Sequence, residues 1–449
     1  MNRFVFAALF VAAPAVAWSQ DAPADPAPAA AVEAAPEAAP PAKAPVPTKE
    51  VTPAVKKAIE ESLTTKTPVK LVPPALEVPT PRPANMEPKA FPAVAPDADT
   101  DPAVKVSGYL RARYGAVLDG DGNPDFVGLN DGFSLDNARL TFDADRGRAA
   151  IRVSIDGAVD RRAASNTAQG QVDVGLKDAH LTYGLTPDVD LVIGQFKPPF
   201  DAEERQATLE MTFIDRAVES RGVHGTEGYN ISGLSLDRQA GVMLQGTYGI
   251  GDAVHLAWAA AATNGSGANR PTNDNDRLAY TGRVELGLGE SLQLGGAVNF
   301  NEFTNGAPPD LLVDEMLSVT GDLAVHAHVA GMEVDLRAQY IQRETTSKDV
   351  PQEPSTVARG FHAAIGIGLP MVSIGYRFAT LDPTATFDTV DPVTQGTLDA
   401  DAVTYHTIGV NWMPADAPCG LKLNYTVTGE QAPRELSNDR LDVLVQAAF

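Results

Sequence analysis

Arginines recur at alternate positions in the first third of the chain beyond residue 104. Arg111 and Arg113 lie two apart, Arg139 sits within the run Ala138–Ala144, and Arg152 within the run Ile151–Val159. On an extended strand, alternation puts each of them opposite the apolar residues of its run. Three consecutive strands would then gather the four into a cationic stripe. Planar guanidinium groups fit phosphate and carboxylate oxygens, so the chemistry open to such a stripe is anion binding. The same alternation places Lys105, Arg277, Arg283, Arg337, Arg377, Lys422 and Arg440 on that face, against Asp143, Asp156, Asp178, Glu285, Asp322, Glu333, Asp335 and Asp442.

Histidines are the other residues that could do chemistry. His180, His224, His255, His326, His328, His362 and His406 are present, and His326 and His328 share a strand face with Asp322. Such a group could hold a metal or serve a triad, and an outer-membrane hydrolase is one function class to weigh. No Gly-x-Ser-x-Gly nucleophile motif accompanies it. Alternation also sets these histidines on the polar face, away from the wall on which barrel hydrolases carry their triad. The expectation is therefore no enzyme, with no catalytic residue, metal or cofactor.

The elements that must position these side chains are strands. From Val104 the chain reads as alternating runs of roughly 8 to 15 residues. In the first, Val104, Val106, Gly108, Leu110, Ala112, Tyr114, Ala116 and Leu118 share one face, and Lys105, Ser107, Tyr109, Arg111 and Arg113 the other. Later runs repeat the pattern, for example Val372, Ile374, Tyr376 and Phe378, to a total of about sixteen, an even number suited to a bacterial transmembrane barrel. Short turns near Asp145–Arg148, Thr186–Asp188, Ile250–Asp252 and Gly289–Glu290 alternate with long connections at Asp119–Phe133, Arg161–Gly170, Lys197–Asp237, Asn264–Asn275 and Leu381–Asp401. Long and short connections on opposite ends suit extracellular loops and periplasmic turns. A soluble β-sandwich seldom needs so many strands. The last run, Leu441 to Phe449, also alternates, broken at Leu444, and closes on a terminal phenylalanine.

The remaining sequence accounts for export. Asn2-Arg3, the apolar stretch Phe4–Val16 and Ala15-Val16-Ala17 fit a secretory signal peptide over 1–20. Nineteen of the 35 prolines lie between Asp21 and Val104, interleaved with alanine. A segment of that composition cannot bury a core, so 21–103 is expected to be an extended, disordered periplasmic linker. Within it, Thr52 as cap, Pro53, and a Val55, Ile59 and Leu63 stripe predict a short helix over 52–63. Cys419 is the single cysteine, which excludes an intramolecular disulfide and leaves rigidity to barrel closure. The barrel domain is expected over 104–449.

The connection Lys197–Asp237 contains Phe200, Leu209, Met211, Phe213 and Ile214, more apolar than a free surface loop needs to be. Asp201-Ala202-Glu203-Glu204 has the form of a capping box. The entry Gly194-Gln195-Phe196-Lys197-Pro198-Pro199-Phe200, the continuation Thr212-Phe213-Ile214-Asp215-Arg216 and the turn Asn264-Gly265-Ser266-Gly267 resemble the phosphate-selective porin family, that of porins O and P. The resemblance spans roughly Val104–Phe449, with Asp201 standing where the family usually has serine. It implies an all-β, sixteen-stranded transmembrane barrel, a homotrimer, and a third loop folded inward to narrow a channel.

On that basis the expected pore-lining, anion-binding residues are Arg111, Arg113, Arg139, Arg152, Lys197, Arg283, Arg337 and Arg377. The expected constriction residues are Asp201, Glu203, Glu204, Asp215 and Arg216. Net charge is −23 overall, and from Lys105 onward 26 lysines and arginines face 46 acids. Either the arginine stripe favours small anions, phosphate among them, or it faces the loop acids Asp201, Glu203, Glu204, Glu210, Asp215 and Glu219 across a general-diffusion pore. A plugged structural or adhesive barrel is a third reading. The expected surroundings are the lipid and lipopolysaccharide of a Gram-negative outer membrane. No basic tract supports nucleic-acid binding.

Overall fold

The computed structural model describes residues 103–118, 131–160, 172–223, 227, 231–251, 253–270, 272–307, 310–349, 355–385, 401–414, 417–431 and 438–449. The expected leader, the helix over 52–63 and the linker up to residue 102 lie outside the described residues; Ala103 already belongs to the first strand.

The strands are β1 (Ala103–Val117), β2 (Gly132–Arg146), β3 (Ala149–Asp160), β4 (Val172–Thr186), β5 (Val189–Phe196), β6 (Gly222–Val223), β7 (Ile231–Ser232), β8 (Gln239–Ile250), β9 (Val254–Thr263), β10 (Ala279–Leu288), β11 (Leu292–Ala307), β12 (Asp310–Val329), β13 (Met332–Ser347), β14 (Thr356–Gly368), β15 (Val372–Asp382), β16 (Val403–Trp412), β17 (Cys419–Glu430) and β18 (Arg440–Ala448). Sixteen of them close into an antiparallel barrel in sequence order, with β18 paired to β1; β6 and β7 form a separate two-stranded ladder within the connection from β5 to β8. Closure leaves no unpaired sheet edge, which is the condition for strands to cross lipid.

Side-chain alternation sorts the wall into two faces. Val106, Leu110, Ile151, Ile193, Val284, Leu294, Ile374 and Val445 are exposed, while Arg111, Asp156, Asn299, Gln339, Thr407, Asn424 and Gln446 are buried. An exposed apolar face and a buried polar face invert the usual soluble arrangement and match a barrel in lipid. Leu444, the break in the last run, is fully buried on the polar face.

Connections at one end are short. Gly147-Arg148 and Ala330-Gly331 are two-residue turns, and positive φ at Ala330 (54°) and Gly331 (80°) supplies the twist such hairpins require. The opposite end carries the long connections, with one departure from alternation: β11 and β12 run to Ala307 and Asp310, so their connection is brief. There the strands themselves lengthen. Beyond Phe300 the outer edge of β11 loses β10 and is met by the preceding connection, where Asp274 accepts from the Thr304 N–H at 2.8 Å.

The seam is made by the chain ends. Phe449 and Gly108 exchange backbone hydrogen bonds at 3.0 and 3.2 Å. A Cβ at residue 108 would come 2.7 Å from the Phe449 ring and 2.6 Å from the Arg139 carbonyl, so glycine is needed for the terminal ring to lie there.

Candidate functional site: the polar face and the segment from Lys197 to Arg238

The segment between β5 and β8 begins with a one-turn helix, Ala202–Arg205. Asp201 caps it, accepting from the Glu204 N–H at 3.0 Å. The predicted capping box is thus half realised, because the Glu204 carboxylate serves Lys197 (3.0 Å) and Arg216 (2.8 Å). A second turn, Val218–Arg221, buries Val218, Glu219 and Ser220.

Residues along this segment bond to the polar face of strands spread around the barrel. On β1, Arg111 donates to the Ile214 carbonyl (2.7 Å) and Arg113 grips Asp215 with two bonds of 2.7 and 2.5 Å. On β10, Arg283 donates to the Phe200 carbonyl (2.9 Å), and Glu285 accepts from Arg205 (2.7 Å). On β13, Gln339 both donates to Asp201 (2.9 Å) and accepts from the Glu203 N–H (3.1 Å). On β14, His362 bonds to Glu219. On β15, Arg377 pairs with Glu203 (3.0 Å), donates to the Asp215 carbonyl (3.0 Å) and lies 4.6 Å over the Phe213 ring. Asn411 on β16 donates to the Thr212 carbonyl (2.9 Å), and Lys422 on β17 to that of Met211. Bidentate and charge-assisted bonds of this kind are the strong members of their class.

Apolar packing reinforces the bonding. Phe200, Ala217, Val218, Val223 and Leu234 form one buried cluster with Ile341, Ala379, Leu381, Val403 and Tyr405. These last five lie on the otherwise polar face of β13, β15 and β16. The face turns apolar where the segment covers it, which removes the cost of leaving polar groups dry.

Burial sets the electrostatics of the segment. Burial would raise the Glu204 carboxyl, yet Lys197 and Arg216 hold it down at about 2. Burial lowers Lys197 to about 8, and the neighbouring Arg216 and Arg238 oppose the help of Glu204. The partners thus disagree in sign, and the favourable coupling is expressed in Glu204. Asp215 is held well below the carboxylate range because Arg113 and Arg221 overcome its burial. Asp201 is pushed up, first by burial and then by Glu203.

Beside the segment lies a cavity of ≈1010 Å³, lined by Lys197, Glu203, Arg205, Arg283, Glu285, Gln339 and Arg377, and reaching Pro187, Asp188 and Gly289–Ser291 at the short-turn end. Its charged lining is balanced, five cationic side chains against six carboxylates.

Each sequence-predicted residue can now be placed. Of the four stripe arginines, Arg111, Arg113 and Arg139 lie close together, Arg139 bonding Asp156 (3.1 Å) in the network that holds Asn137 and Arg111. Arg152 pairs with Asp143 (2.7 Å), at the level of Lys105 and nearer the Gly147 turn. Only Arg113 of the four meets a segment acid, and it also bonds Asp136 at 2.5 Å. Arg283 pairs with Asp322 (2.8 Å) and Arg337 with Asp335 (3.0 Å). Glu203, Glu204 and Glu219 go instead to Arg377, Lys197 with Arg216, and His362. Ligand atoms of Glu203, Glu219 and His362 lie within 4.8 Å of one another. Glu203 is already committed, however, to Arg377 and the Ala217 N–H (2.7 Å), so the trio is built as an ion network. Sequence reasoning missed Gln339, His362 and Asn411 as anchors; their signal was a polar residue at an inward position late in the chain.

The fold and this network define a porin-type channel. The model of the family described as phosphate-selective porin O and P matches residues 109–348, more than half of the chain, and the protein belongs to that family. It is accordingly an outer-membrane channel protein of a Gram-negative bacterium. Among solved structures it is similar to the outer-membrane channel DcaP of Acinetobacter baumannii, at 15% identity over 78% of this chain and 97% of that one, with a TM-score of 0.51. Others include an anion-selective porin from Comamonas acidovorans (9% identity, 78% and 100% covered, TM-score 0.49) and a trimer form of OmpT from Vibrio cholerae (10%, 78% and 99%, 0.46). At such identity the first of these speaks for the fold. A search of curated proteins finds no match.

Proposed function

We propose that the barrel is a water-filled channel for passive diffusion of small ions and solutes, narrowed by the segment Lys197–Arg238 folded inside it, and only weakly selective for charge. The observation that carries this is the balanced lining of the cavity beside the segment, five cations against six carboxylates. Paired charges across a constriction give a transverse field and little net potential along the axis, so neither sign of ion is strongly excluded. Bonds from β1, β10, β13, β14, β15, β16 and β17 to one segment support its lying within the ring of strands, since those strands surround the barrel axis.

One observation favours a second reading, in which anions, phosphate included, are preferred. Arg111 and Arg343 donate to backbone carbonyls of the segment, Ile214 and Leu234. A carbonyl satisfies the donor without cancelling its charge. Assembly as a homotrimer in contact with lipid and lipopolysaccharide follows from the resemblance to the family.

Single-channel recording tests the reading. Deleting Glu203–Glu219 should raise conductance, because the narrowest section dominates resistance; an unchanged value would put the segment outside the pore. A plugged barrel would show no open steps. In a salt gradient the zero-current potential should lie near zero for weak selectivity. A strongly anionic value, reduced when Arg111, Arg113, Arg139 and Arg152 are all replaced by glutamine, would instead establish the second reading.

A further inference from the structure

Two histidines in the cavity take no part in the network that seats the segment. His326 and His328 lie two apart on β12, on the face that lines the cavity, four and two residues before the Ala330-Gly331 turn. Their rings stand 5.0 Å apart between centroids, at 89°. Among the described residues neither ring makes a hydrogen bond or ion pair, although the Asp335 and Glu333 positions lie directly across on β13. Asp335 is held by Arg337.

We infer that His326 and His328 form a chelating site for a borderline divalent transition-metal ion, of the class of Zn²⁺ or Ni²⁺, at the short-turn mouth of the channel. Imidazole nitrogens are the preferred ligands of such ions. With a metal–nitrogen distance of about 2.0–2.1 Å, each ring centroid stands about 3.2 Å from the ion. Two centroids are then separated by about 4.5 Å for a right-angled pair of bonds and about 5.2 Å for a tetrahedral pair. The observed 5.0 Å falls between these limits. The edge-to-face orientation is not itself the chelating one. Chelation needs rotation about χ2, and no hydrogen bond among the described residues holds either ring back. Two imidazoles leave the remaining coordination positions to water, with Glu333 across the ladder from His328 to offset the charge. The site is therefore exchangeable rather than structural. A bound dication would add positive charge to a lining that is otherwise balanced, and so draw anions into the mouth.

The test uses the full-length protein in detergent and in planar bilayers, with Zn²⁺ alone as probe. Calorimetry should give one Zn²⁺ per chain, weakened about tenfold or more by His326→Gln or His328→Gln and lost in the double variant, whereas Glu203→Gln should leave it in place. In bilayers, Zn²⁺ added on the short-turn side should move the zero-current potential toward anion preference, reversibly with chelator, and not in the double variant. Equal Zn²⁺ affinity in the double and unmutated proteins would overturn the inference, as would loss of binding in Glu203→Gln alone. The bilayer arm rests on the channel reading. The calorimetric arm does not, so failure of either idea is separately visible.

Discussion

Replacing Glu204 with glutamine probes how the segment is held. Its carboxylate joins Lys197 at 3.0 Å and Arg216 at 2.8 Å, and so ties the first turn of the segment to its entry and to its later part. Being held at about 2 rather than the ordinary 4.5 is equivalent to about 3 kcal/mol in favour of the seated arrangement at neutral pH. The folded value is depressed, so this contribution is complete above the ordinary carboxylate value and drains away as pH falls from about 4.5 toward about 2. Hydrogen exchange reads it directly. In Glu204→Gln at pH 7, amides of the turns Ala202–Arg205 and Val218–Arg221 should exchange up to roughly a hundredfold faster, since each 1.36 kcal/mol is a factor of ten. Strand amides should be unaffected. In the unmutated protein the same amides, corrected for intrinsic rates, should lose protection over that acidic window, and the variant should show a smaller loss, the remainder coming from Asp215, which is also held down. Exchange at the unmutated rate in the variant, or a flat acid profile in the unmutated protein, would refute the reasoning.

Two further outcomes follow from the wall and its seam. Val443→Arg puts a cation on the apolar face of β18 between Leu423 and Tyr114; it should cost about 2–4 kcal/mol if that level is mid-bilayer, seen as lower folded yield in lipid refolding, and a normal yield would exchange the two faces. Gly108→Leu should displace the Phe449 ring from the seam and slow assembly much as deletion of Phe449 does, leaving export intact; full outer-membrane yield from both variants would show the terminal ring to be dispensable.

The barrel was legible because a two-residue period writes the inside and the outside of a strand directly into sequence. Arg111, Arg113, Arg377 and Lys422 all fall on the polar face as alternation requires. The apolar stretches at Ile341, Leu381 and Val403 broke that rule for a reason alternation cannot carry: a segment more than a hundred residues away in sequence covers them. Partner choice was illegible for the same cause. Arg113 meets Asp215 and Arg377 meets Glu203 only once the segment takes its path, and Asp136 reaches Arg113 across a register shift in the β1–β2 ladder. Of the acids named in the segment, Asp215 meets a stripe arginine, while geometry assigns Glu203 and Glu204 to cations outside the stripe.

The seam carries a consequence for how the molecule is made. Every other neighbouring pair of barrel strands is joined by a single connection, whereas β1 and β18 meet across nearly the whole described chain, at pairs such as Tyr109 with Ala448. Ends so far apart are the slowest to find one another. The segment spans this seam, with Ile214 bonded to Arg111 on β1 and Met211 to Lys422 on β17. Those bonds lie on the face that closure seals. By bonding to β1 and to β17, on either side of β18, the segment holds the seam from the polar face.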